Sequence, residues 1–267
     1  MTHHVRILDV GSIRGDLDAV VQRVHEARRP VALTGAGISV ESGIPDFRSP
    51  GGLWSVFEPM EYATLTCFLR NPEKAWELYR ALGTTLLDKR PNAAHVALAD
   101  LERAGRLAGV ITQNVDGLHQ AAGSRTVLEI HGDHGSLHCL KCHGSEPFTE
   151  AHLEPGPVPR CASCDHPLKP AVVLYEEPVR AMEAIDELLR STDLLLTIGT
   201  SAEVAPACLF PAHVRASGGH VIEFNLQREL PEATLGSGGA FVEGPASATL
   251  PAVVERVEML REAGRPS

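Results

Sequence analysis

Two pairs of cysteines constrain the fold of this chain more than any other feature of its sequence. Each pair has the CxxC spacing, Cys139 with Cys142 and Cys161 with Cys164, and 18 residues separate the pairs. In a chain that folds in a reducing compartment, this spacing is typical of one tetrahedral zinc ion held by four thiolates. A redox-active CxxC and a chance arrangement are the alternatives, although redox motifs seldom occur as two pairs. Because four thiolates complete the coordination shell of zinc, the sequence predicts one structural Zn²⁺.

Short apolar segments alternate with amphipathic segments along most of the 267 residues. The predicted strands are 30–34, 107–112, 127–130, 171–174, 194–198 and 220–224, and the predicted helices are 16–28, 93–104, 179–191 and 250–263. Strands that are apolar throughout are buried on both faces, as in a parallel sheet covered by helices. The predicted fold is therefore α/β, with a Rossmann-like doubly wound parallel sheet.

Two segments interrupt this alternation and are interpreted as insertions. Residues 50–90 are rich in aromatic and helix-forming residues, and residues 135–169 contain the cysteine pairs. We expect the helical insertion and the zinc-binding module to pack together as one small domain. Residues 1–49, 91–134 and 170–267 then form the Rossmann-like domain, with a ligand cleft between the two.

The charge and the hydropathy of the sequence argue against two kinds of partner, nucleic acids and membranes. A formal net charge of -10 disfavours tight contact with a phosphate backbone, which requires many Lys and Arg contacts. No apolar run reaches the roughly 20 residues of a membrane helix, and the first residues lack the apolar stretch of a signal peptide. We therefore expect a cytoplasmic protein with no stable nucleic-acid partner and no membrane association. The sequence leaves its oligomeric state open.

A glycine-rich turn at residues 35–37 follows the strand 30–34. In α/β folds such a turn brings the backbone close to a phosphate at a helix N-terminus. Val40 stands where the usual dinucleotide fingerprint has its third glycine, so the turn by itself is equally consistent with a tight turn that binds nothing. The nearby Asp46, Phe47 and Arg48 add a carboxylate, an aromatic ring and a guanidinium in a loop, which favours a binding function.

Polar side chains also follow two later strands. Gln113, Asn114 and Asp116 come after one predicted strand, and His131 follows the next. The carboxyl ends of parallel strands meet at one edge of a doubly wound sheet, where such folds bind ligands. Any one of the first three residues could be a simple turn former, but three together favour a site. His131 is the candidate general base, because an imidazole takes up a proton near neutral pH.

Nine sequence motifs resemble, in order, those of the sirtuin family. They are GAGIS, SGIPDFRS, TQNVDGLH, HG, the paired CxxC, KPAVVLYEE, GTSAEVAPA, FNL and GPASATLP, and they span roughly residues 15–256. No single structural constraint would require all nine. The resemblance implies a protein-lysine deacetylase that consumes NAD as a co-substrate and releases nicotinamide and O-acetyl-ADP-ribose. It also implies acyl-lysine proteins as substrates, and an NAD-binding Rossmann domain beside a small zinc-bearing domain.

The resemblance further implies roles for individual residues. His131 resembles the general base that activates a ribose hydroxyl, and Asn114 and Asp116 accompany it in the implied catalytic set. The implied NAD contacts come from several separate segments, namely Gly35, Ala36, Gly37, Asp46, Phe47, Arg48, Trp54, Gln113, Asn114, Asp116, Gly199, Thr200, Ser201, Asn225, Leu226 and Ala246.

The implied substrate-binding segment departs from the family pattern. Val172, Val173 and Tyr175 resemble the residues along which an acyl-lysine peptide adds as a strand. Many family members continue with Phe-Gly-Glu, whereas this chain has Tyr175-Glu176-Glu177. A position that is flexible in the family therefore carries a charge, which predicts a change in peptide docking or preference.

A second departure concerns the acyl group. Leu82 lies three residues after Tyr79, at the position where the branch of the family that removes succinyl groups carries an arginine. Without that guanidinium an acidic acyl chain lacks its bidentate partner. The sequence therefore favours removal of acetyl or of longer neutral acyl groups.

Two other functions remain open from the sequence. The same cleavage of NAD could deliver ADP-ribose to a protein nucleophile, as in a mono-ADP-ribosyltransferase. A non-catalytic NAD-sensing module, with the zinc segment as a docking surface, is the alternative outside the enzymes.

Overall fold

A computed structural model describes residues 2–7, 13–14, 17–46 and 52–263. Its α-helices are α1 (Leu17–Glu26), α2 (Pro59–Tyr62), α3 (Leu65–Arg70), α4 (Pro72–Leu86), α5 (Ala93–Arg103), α6 (Leu118–Ala122), α7 (Met182–Arg190), α8 (Phe210–Ala216), α9 (Glu232–Leu235) and α10 (Ala246–Ala263). Its strands are β1 (His3–Ile7), β2 (Ile13–Arg14), β3 (Pro30–Thr34), β4 (Gly109–Thr112), β5 (Val127–Glu129), β6 (Gly132–Cys139), β7 (Ser145–Pro147), β8 (Leu168–Val172), β9 (Leu194–Ile198), β10 (His220–Asn225) and β11 (Ala240–Glu243). Within these ranges, no helix has both the length and the apolar character required to cross a bilayer.

The larger sheet has the strand order β2-β1-β11-β10-β9-β3-β4-β5. All neighbouring strands run parallel except β2, which is antiparallel to β1. Successive residues of β3 alternate between two apolar cores: Ala32 packs with α1, α5 and α10, while Val31 and Leu33 pack with α7 and α8. This arrangement confirms the predicted Rossmann-like, doubly wound sheet.

The chain order reverses between β3 and β9. From β3 the chain continues to β4 and β5 on one side, and β9, β10 and β11 follow on the other side. The carboxyl ends of β3 and β9 therefore border a topological switch point, where open α/β sheets bind ligands.

The local predictions differ in how well they match the structure. The bounds of β3 and β9 agree with the predicted strands, because both are short segments buried on both faces. The glycine turn leads into a helix, as expected, and this helix is a 3₁₀ helix, Ala36–Ser42. Strands β1 and β11 were not predicted, and α10 begins at Ala246 rather than at residue 250 and continues through Pro251.

The prediction that residues 171–174 form a strand of the parallel sheet is wrong. The strand there is β8, which belongs to a separate three-stranded antiparallel sheet of order β7-β6-β8. An apolar run specifies burial but not its pairing partner, because partners in a sheet are selected by contacts distant in sequence.

The two predicted insertions share one apolar core. Phe68 and Trp76 of the helical segment pack with Leu137 of β6 and Leu168 of β8, and the Trp76 indole N–H donates to the Leu168 carbonyl over 2.8 Å. The predicted boundaries after residues 134 and 169 fall inside β6 and β8. The division into two domains therefore stays a prediction.

Candidate active site

A cavity of about 720 Å³ opens at the carboxyl ends of β3, β4, β9 and β10, beside the switch point. Helix α4 closes one end of it through Tyr79 and Leu82. Most of the residues singled out in the sequence line it: Gly35, Ala36, Gly37, Asp46, Trp54, Gln113, Asn114, His131, Val172, Val173, Tyr175, Gly199, Thr200, Ser201, Asn225, Leu226 and Ala246. Asp116 is not among the lining residues, and Phe47 and Arg48 lie outside the described residues.

Three glycines permit a close approach of two backbone segments in the cavity wall. The Gly35 N–H donates to the Ile198 carbonyl, and the Gly37 N–H donates to the Gly199 carbonyl over 2.8 Å. A Cβ atom on Gly37 would lie 2.7 Å from the Gly199 Cα, closer than side-chain carbons approach in proteins. The turn after β3 can therefore lie against the turn after β9 only if both carry glycine.

Side-chain amides connect the loops around this turn. Gln113 Nε2 donates to Thr200 Oγ1 over 2.9 Å, and Asn225 Nδ2 donates to the Thr200 carbonyl over 3.1 Å. Asn114 Nδ2 donates to the Gly35 carbonyl over 3.1 Å. These bonds join the ends of β3, β4, β9 and β10 into one rigid wall, which a binding site for an extended ligand requires.

Asp116 lies behind this wall and contacts it through Ser39. The Ser39 hydroxyl donates to one carboxylate oxygen of Asp116 over 2.7 Å, and the Leu118 N–H donates to the other over 2.9 Å. Ser39 Oγ also accepts a hydrogen bond from Asn114 Nδ2. In this arrangement Asp116 orients Ser39 and Asn114.

Two buried histidines support the same wall. His95 Nε2 lies 3.5 Å from Ser39 Oγ, and His119 Nε2 lies 2.9 Å from Thr34 Oγ1. Burial lowers the pKa of His95 to about 4 and that of His119 to about 3, so both rings are neutral at neutral pH. Ser39 and His119 belong to two of the quoted sequence motifs, but neither they nor His95 were assigned a role from the sequence. The spacing of Asn92 and His95, which forms a helix capping box, was an available signal for one of them.

His131 lines the cavity, and one of its two ring nitrogens is held by a hydrogen bond. Its Nδ1–H donates to the Gln113 carbonyl over 3.0 Å, which leaves Nε2 as the ring nitrogen with a free electron pair. Burial lowers the pKa of His131, and the Gln113 carbonyl opposes this shift. The ring is therefore neutral and oriented at neutral pH, the state that a general base requires.

The segment 172–175 borders the cavity next to His131. The Val173 N–H donates to the His131 carbonyl over 2.8 Å, and the Tyr175 N–H donates to the Ala63 carbonyl over 2.9 Å. Lys169 Nζ donates to the Val172 carbonyl over 2.6 Å, so this segment is held by backbone and side-chain bonds along its length.

The end of the cavity formed by α4 is apolar. Tyr79 is buried there, and its hydroxyl has no hydrogen-bond partner among the described residues. Leu82 is 7% exposed and Leu78 completes this wall. Arg80 does not line the cavity; its guanidinium donates to the Gly156 carbonyl over 2.9 Å and lies over the Trp76 ring. No guanidinium of the described chain therefore lies where an acidic acyl group would need one.

The four predicted zinc ligands lie together. The sulfur atoms of Cys139, Cys142, Cys161 and Cys164 are all within 4.8 Å of one another. Four sulfurs at about 2.3 Å from a tetrahedral zinc ion lie about 3.8 Å apart, so the cluster has the right size for Zn²⁺. None of the four lines the large cavity, which agrees with a structural metal.

Comparisons with known proteins give one consistent family. The sequence profile of the Sir2 family matches residues 35–206. The chain is 42% identical over 241 residues to "NAD-dependent protein deacylase 2" of Pyrobaculum aerophilum, covering 90% of this chain and 95% of the relative.

Solved structures with a similar fold belong to the same family. The "crystal structure of a Sir2 homolog-NAD complex" has a TM-score of 0.82 and 36% identity, covering 91% of this chain and 94% of that one. A Sir2 structure with a deacetylated p53 peptide and 3′-O-acetyl ADP-ribose has a TM-score of 0.77 and 32% identity, covering 93% and 98%. The matched profile, the identity over nearly the whole chain and the shared fold show that this chain belongs to the Sir2 family, the sirtuins.

Proposed function

We propose that this protein is an NAD-dependent protein-lysine deacetylase that releases nicotinamide and O-acetyl-ADP-ribose. One observation carries the proposal: His131, whose Nδ1–H is held by the Gln113 carbonyl, lines a cavity between the glycine turn at the switch point and the segment 172–175. The neutral imidazole of His131 thus lies between a turn that suits a nucleotide and a segment that suits an extended peptide. Sir2 relatives are named NAD-dependent deacylases and deacetylases, which supports the same activity.

The residues at the switch point fit NAD. The close approach of Gly37 to Gly199 keeps side chains out of the turn, so that backbone N–H groups stay accessible to a pyrophosphate. Gln113 and Asn225 are held at the ends of β4 and β10, where their amides can bind ribose hydroxyls. When bound, NAD supplies an anomeric carbon with nicotinamide as its leaving group. Ala246 and Leu226 would contact the adenine end.

His131 acts as the general base in this proposal. Its Nδ1–H is held by the Gln113 carbonyl, so the proton taken from a ribose hydroxyl goes to Nε2. The developing imidazolium keeps its hydrogen bond to that carbonyl. Asn114 and Asp116 complete the proposed catalytic set, Asn114 in the cavity wall and Asp116 through Ser39.

The acyl-lysine substrate is proposed to lie along Val172, Val173 and Tyr175. A peptide that adds as a strand gains backbone hydrogen bonds without a required sequence. The acyl group then reaches the apolar end formed by Tyr79 and Leu82, which suits a neutral acyl chain. A zinc ion held by Cys139, Cys142, Cys161 and Cys164 would join the end of β6 to the segment 161–164, outside the cavity, and would take no part in the chemistry.

Incubation with NAD and an acetyl-lysine peptide tests the proposal. Mass spectrometry should detect nicotinamide, deacetylated peptide and O-acetyl-ADP-ribose in equal amounts. An ADP-ribosylated protein in their place would support the mono-ADP-ribosyltransferase instead. NAD binding without turnover of acetylated or longer acylated peptides would support the NAD-sensing module.

A further inference from the structure

The charged residues that line the cavity, within the described part of the chain, are all acidic. They are Glu41, Asp46, Glu176, Glu177 and Glu229, with no Lys or Arg. Glu177 is neutralised by Lys169 at 3.0 Å. Glu176 forms no ion pair with a described Lys or Arg, and it is exposed at the end of the proposed peptide-binding segment.

The Glu176 carboxylate is held in place. Its Oε2 accepts hydrogen bonds from the Thr66 N–H over 2.9 Å and from the Thr66 hydroxyl over 2.7 Å. The neighbouring Tyr175 is also fixed, because its carbonyl accepts a hydrogen bond from the Leu65 N–H over 3.0 Å. Glu176 itself has a φ of 76°, a conformation that favours glycine, so this chain keeps the carboxylate at a backbone cost.

Because both hydrogen bonds go to Oε2, the second oxygen, Oε1, remains available to a ligand. The two Thr66 donors also lower the pKa of Glu176, which keeps it ionised. The Glu176 side chain is therefore oriented before any substrate arrives, so it loses less conformational entropy when a cation pairs with it.

We propose that Glu176 selects protein substrates that carry a lysine or arginine side chain next to the acyl-lysine. This inference rests on the proposed function, since it requires a peptide along residues 172–175. A carboxylate fixed at one end of that segment lies beside the flanking side chains of the peptide. No Lys or Arg lines the described cavity, and Arg70, whose charge also lowers the pKa of Glu176, forms no salt bridge with it, so a flanking guanidinium or ammonium can form a charge-assisted hydrogen bond there.

Because Glu176 is exposed, we expect it to change the preference among peptides only modestly. Ion pairs at the surface change affinity modestly, and salt screens them. We expect kcat/KM for an arginine-flanked peptide to exceed that for a serine-flanked peptide by about two- to five-fold. A glutamate-flanked peptide should be worse than the serine-flanked one by a similar factor.

Three acetyl-lysine peptides that differ only in flanking Arg, Ser or Glu test the inference. Both kcat/KM and the dissociation constant, from fluorescence anisotropy of labelled peptides, should follow the order Arg, Ser, Glu at low salt, with the differences shrinking at high salt. Glu176→Gln retains an acceptor for Thr66 and should abolish the order, whereas Glu176→Lys should reverse it. Glu187→Gln, an equal charge change on the exposed face of α7 and away from the cavity, should preserve it.

An order that is absent in the wild type, or that persists in Glu176→Gln, would overturn the inference. Failure of the proposed function is a separate result. If no peptide is deacetylated, the proposed activity is wrong, while the dissociation constants of the three peptides still decide whether Glu176 selects basic flanks.

Discussion

Lys169 Nζ lies 3.0 Å from Glu177 Oε2, and the lysine side chain is only 2% exposed. The same ammonium donates to the Val172 carbonyl, and the same carboxylate oxygen accepts the Leu174 N–H over 2.8 Å. The buried pair thus holds both ends of the segment 172–174, on which we propose that the substrate peptide docks. Burial lowers the pKa of Lys169, and Glu177 opposes that shift.

Removing only one partner of this pair should be more harmful than removing both. Lys169→Met leaves the Glu177 carboxylate without its counter-charge, which should lower the free energy of unfolding by about 3–5 kcal/mol. The double variant Lys169→Met/Glu177→Gln should recover part of this loss. In the double variant, KM for the acetyl peptide should rise several-fold, while KM for NAD should change little.

Chemical denaturation and steady-state kinetics measure these effects. Lys74→Met provides the control, because Lys74 pairs with Glu61 at the same 3.0 Å distance on the surface, where solvent screens the pair, and this variant should lose far less stability than Lys169→Met. Equal losses for the buried and the exposed lysine, or a KM increase confined to NAD, would contradict the role assigned to Lys169.

His131→Ala should abolish deacetylation while leaving NAD binding largely intact. Loss of a general base should lower kcat by about 10²–10⁴-fold. The dissociation constant of NAD, measured by calorimetry, should change only a few-fold. Because burial lowers the pKa of His131 below its usual 6.5, wild-type kcat should be constant above that pH and fall as the ring becomes protonated below it.

His213→Ala, at an exposed position on α8, is the matched control for that variant. A His131→Ala enzyme that loses NAD affinity but keeps its turnover would refute the assignment of His131 as the base.

The zinc site should contribute to stability rather than to chemistry. Metal analysis should find one Zn²⁺ per chain. Cys161→Ser, or removal of zinc by a chelator, should lower Tm and reduce activity in parallel, because a tetrathiolate site contributes folding free energy. Cys208→Ser, outside the cluster, should change neither strongly. Loss of activity at unchanged Tm would indicate a catalytic metal.

The apolar acyl end should make the enzyme discriminate against acidic acyl groups. A succinyl carboxylate beside Leu82 would lose its hydration without a cationic partner, at a cost of several kcal/mol. We therefore expect kcat/KM for an acetyl peptide to exceed that for the matched succinyl peptide by at least about 100-fold. Leu82→Arg should raise desuccinylation relative to deacetylation, and Leu82→Met is its uncharged control. Comparable rates on both peptides in the wild type would contradict this prediction.

Three buried histidines should make stability depend on pH. Burial lowers the pKa of His95 and His134 to about 4 and that of His119 to about 3. Each folded pKa lies below the unfolded value of about 6.5, so the unfolded chain binds more protons below that pH. Stability should therefore be fully present above pH 6.5 and fall between pH 6.5 and 5 by up to about 1.4 kcal/mol per pH unit for each histidine.

Urea unfolding between pH 7 and 5 measures how steeply the free energy of unfolding changes with pH. His134→Gln keeps a donor for the Tyr79 carbonyl but cannot titrate. This variant should therefore remove the contribution of one histidine out of three from the pH dependence of the free energy of unfolding. A free energy of unfolding that stays constant between pH 7 and 5 would exclude this effect.

The sequence alone determined the features that depend on neighbouring residues. The CxxC spacing places two thiolates on one short loop, and it predicted all four members of the sulfur cluster. The strands β3 and β9 were predictable because a short, wholly apolar run must be buried on both faces. The glycine turn at residues 35–37 was likewise predictable, because glycine is typical of a position where the backbone approaches another group closely.

Tertiary structure decided which distant segments meet. It placed β8 in the antiparallel sheet, and it paired β1 with β11, because strand partners are selected by contacts far apart in sequence. It put Asp116 behind Ser39 rather than in the cavity wall, and it buried Lys169 against Glu177. A polar residue has the same identity at the surface and in the interior, so only the packing around it determines whether its charge is solvated, paired or directed at a substrate.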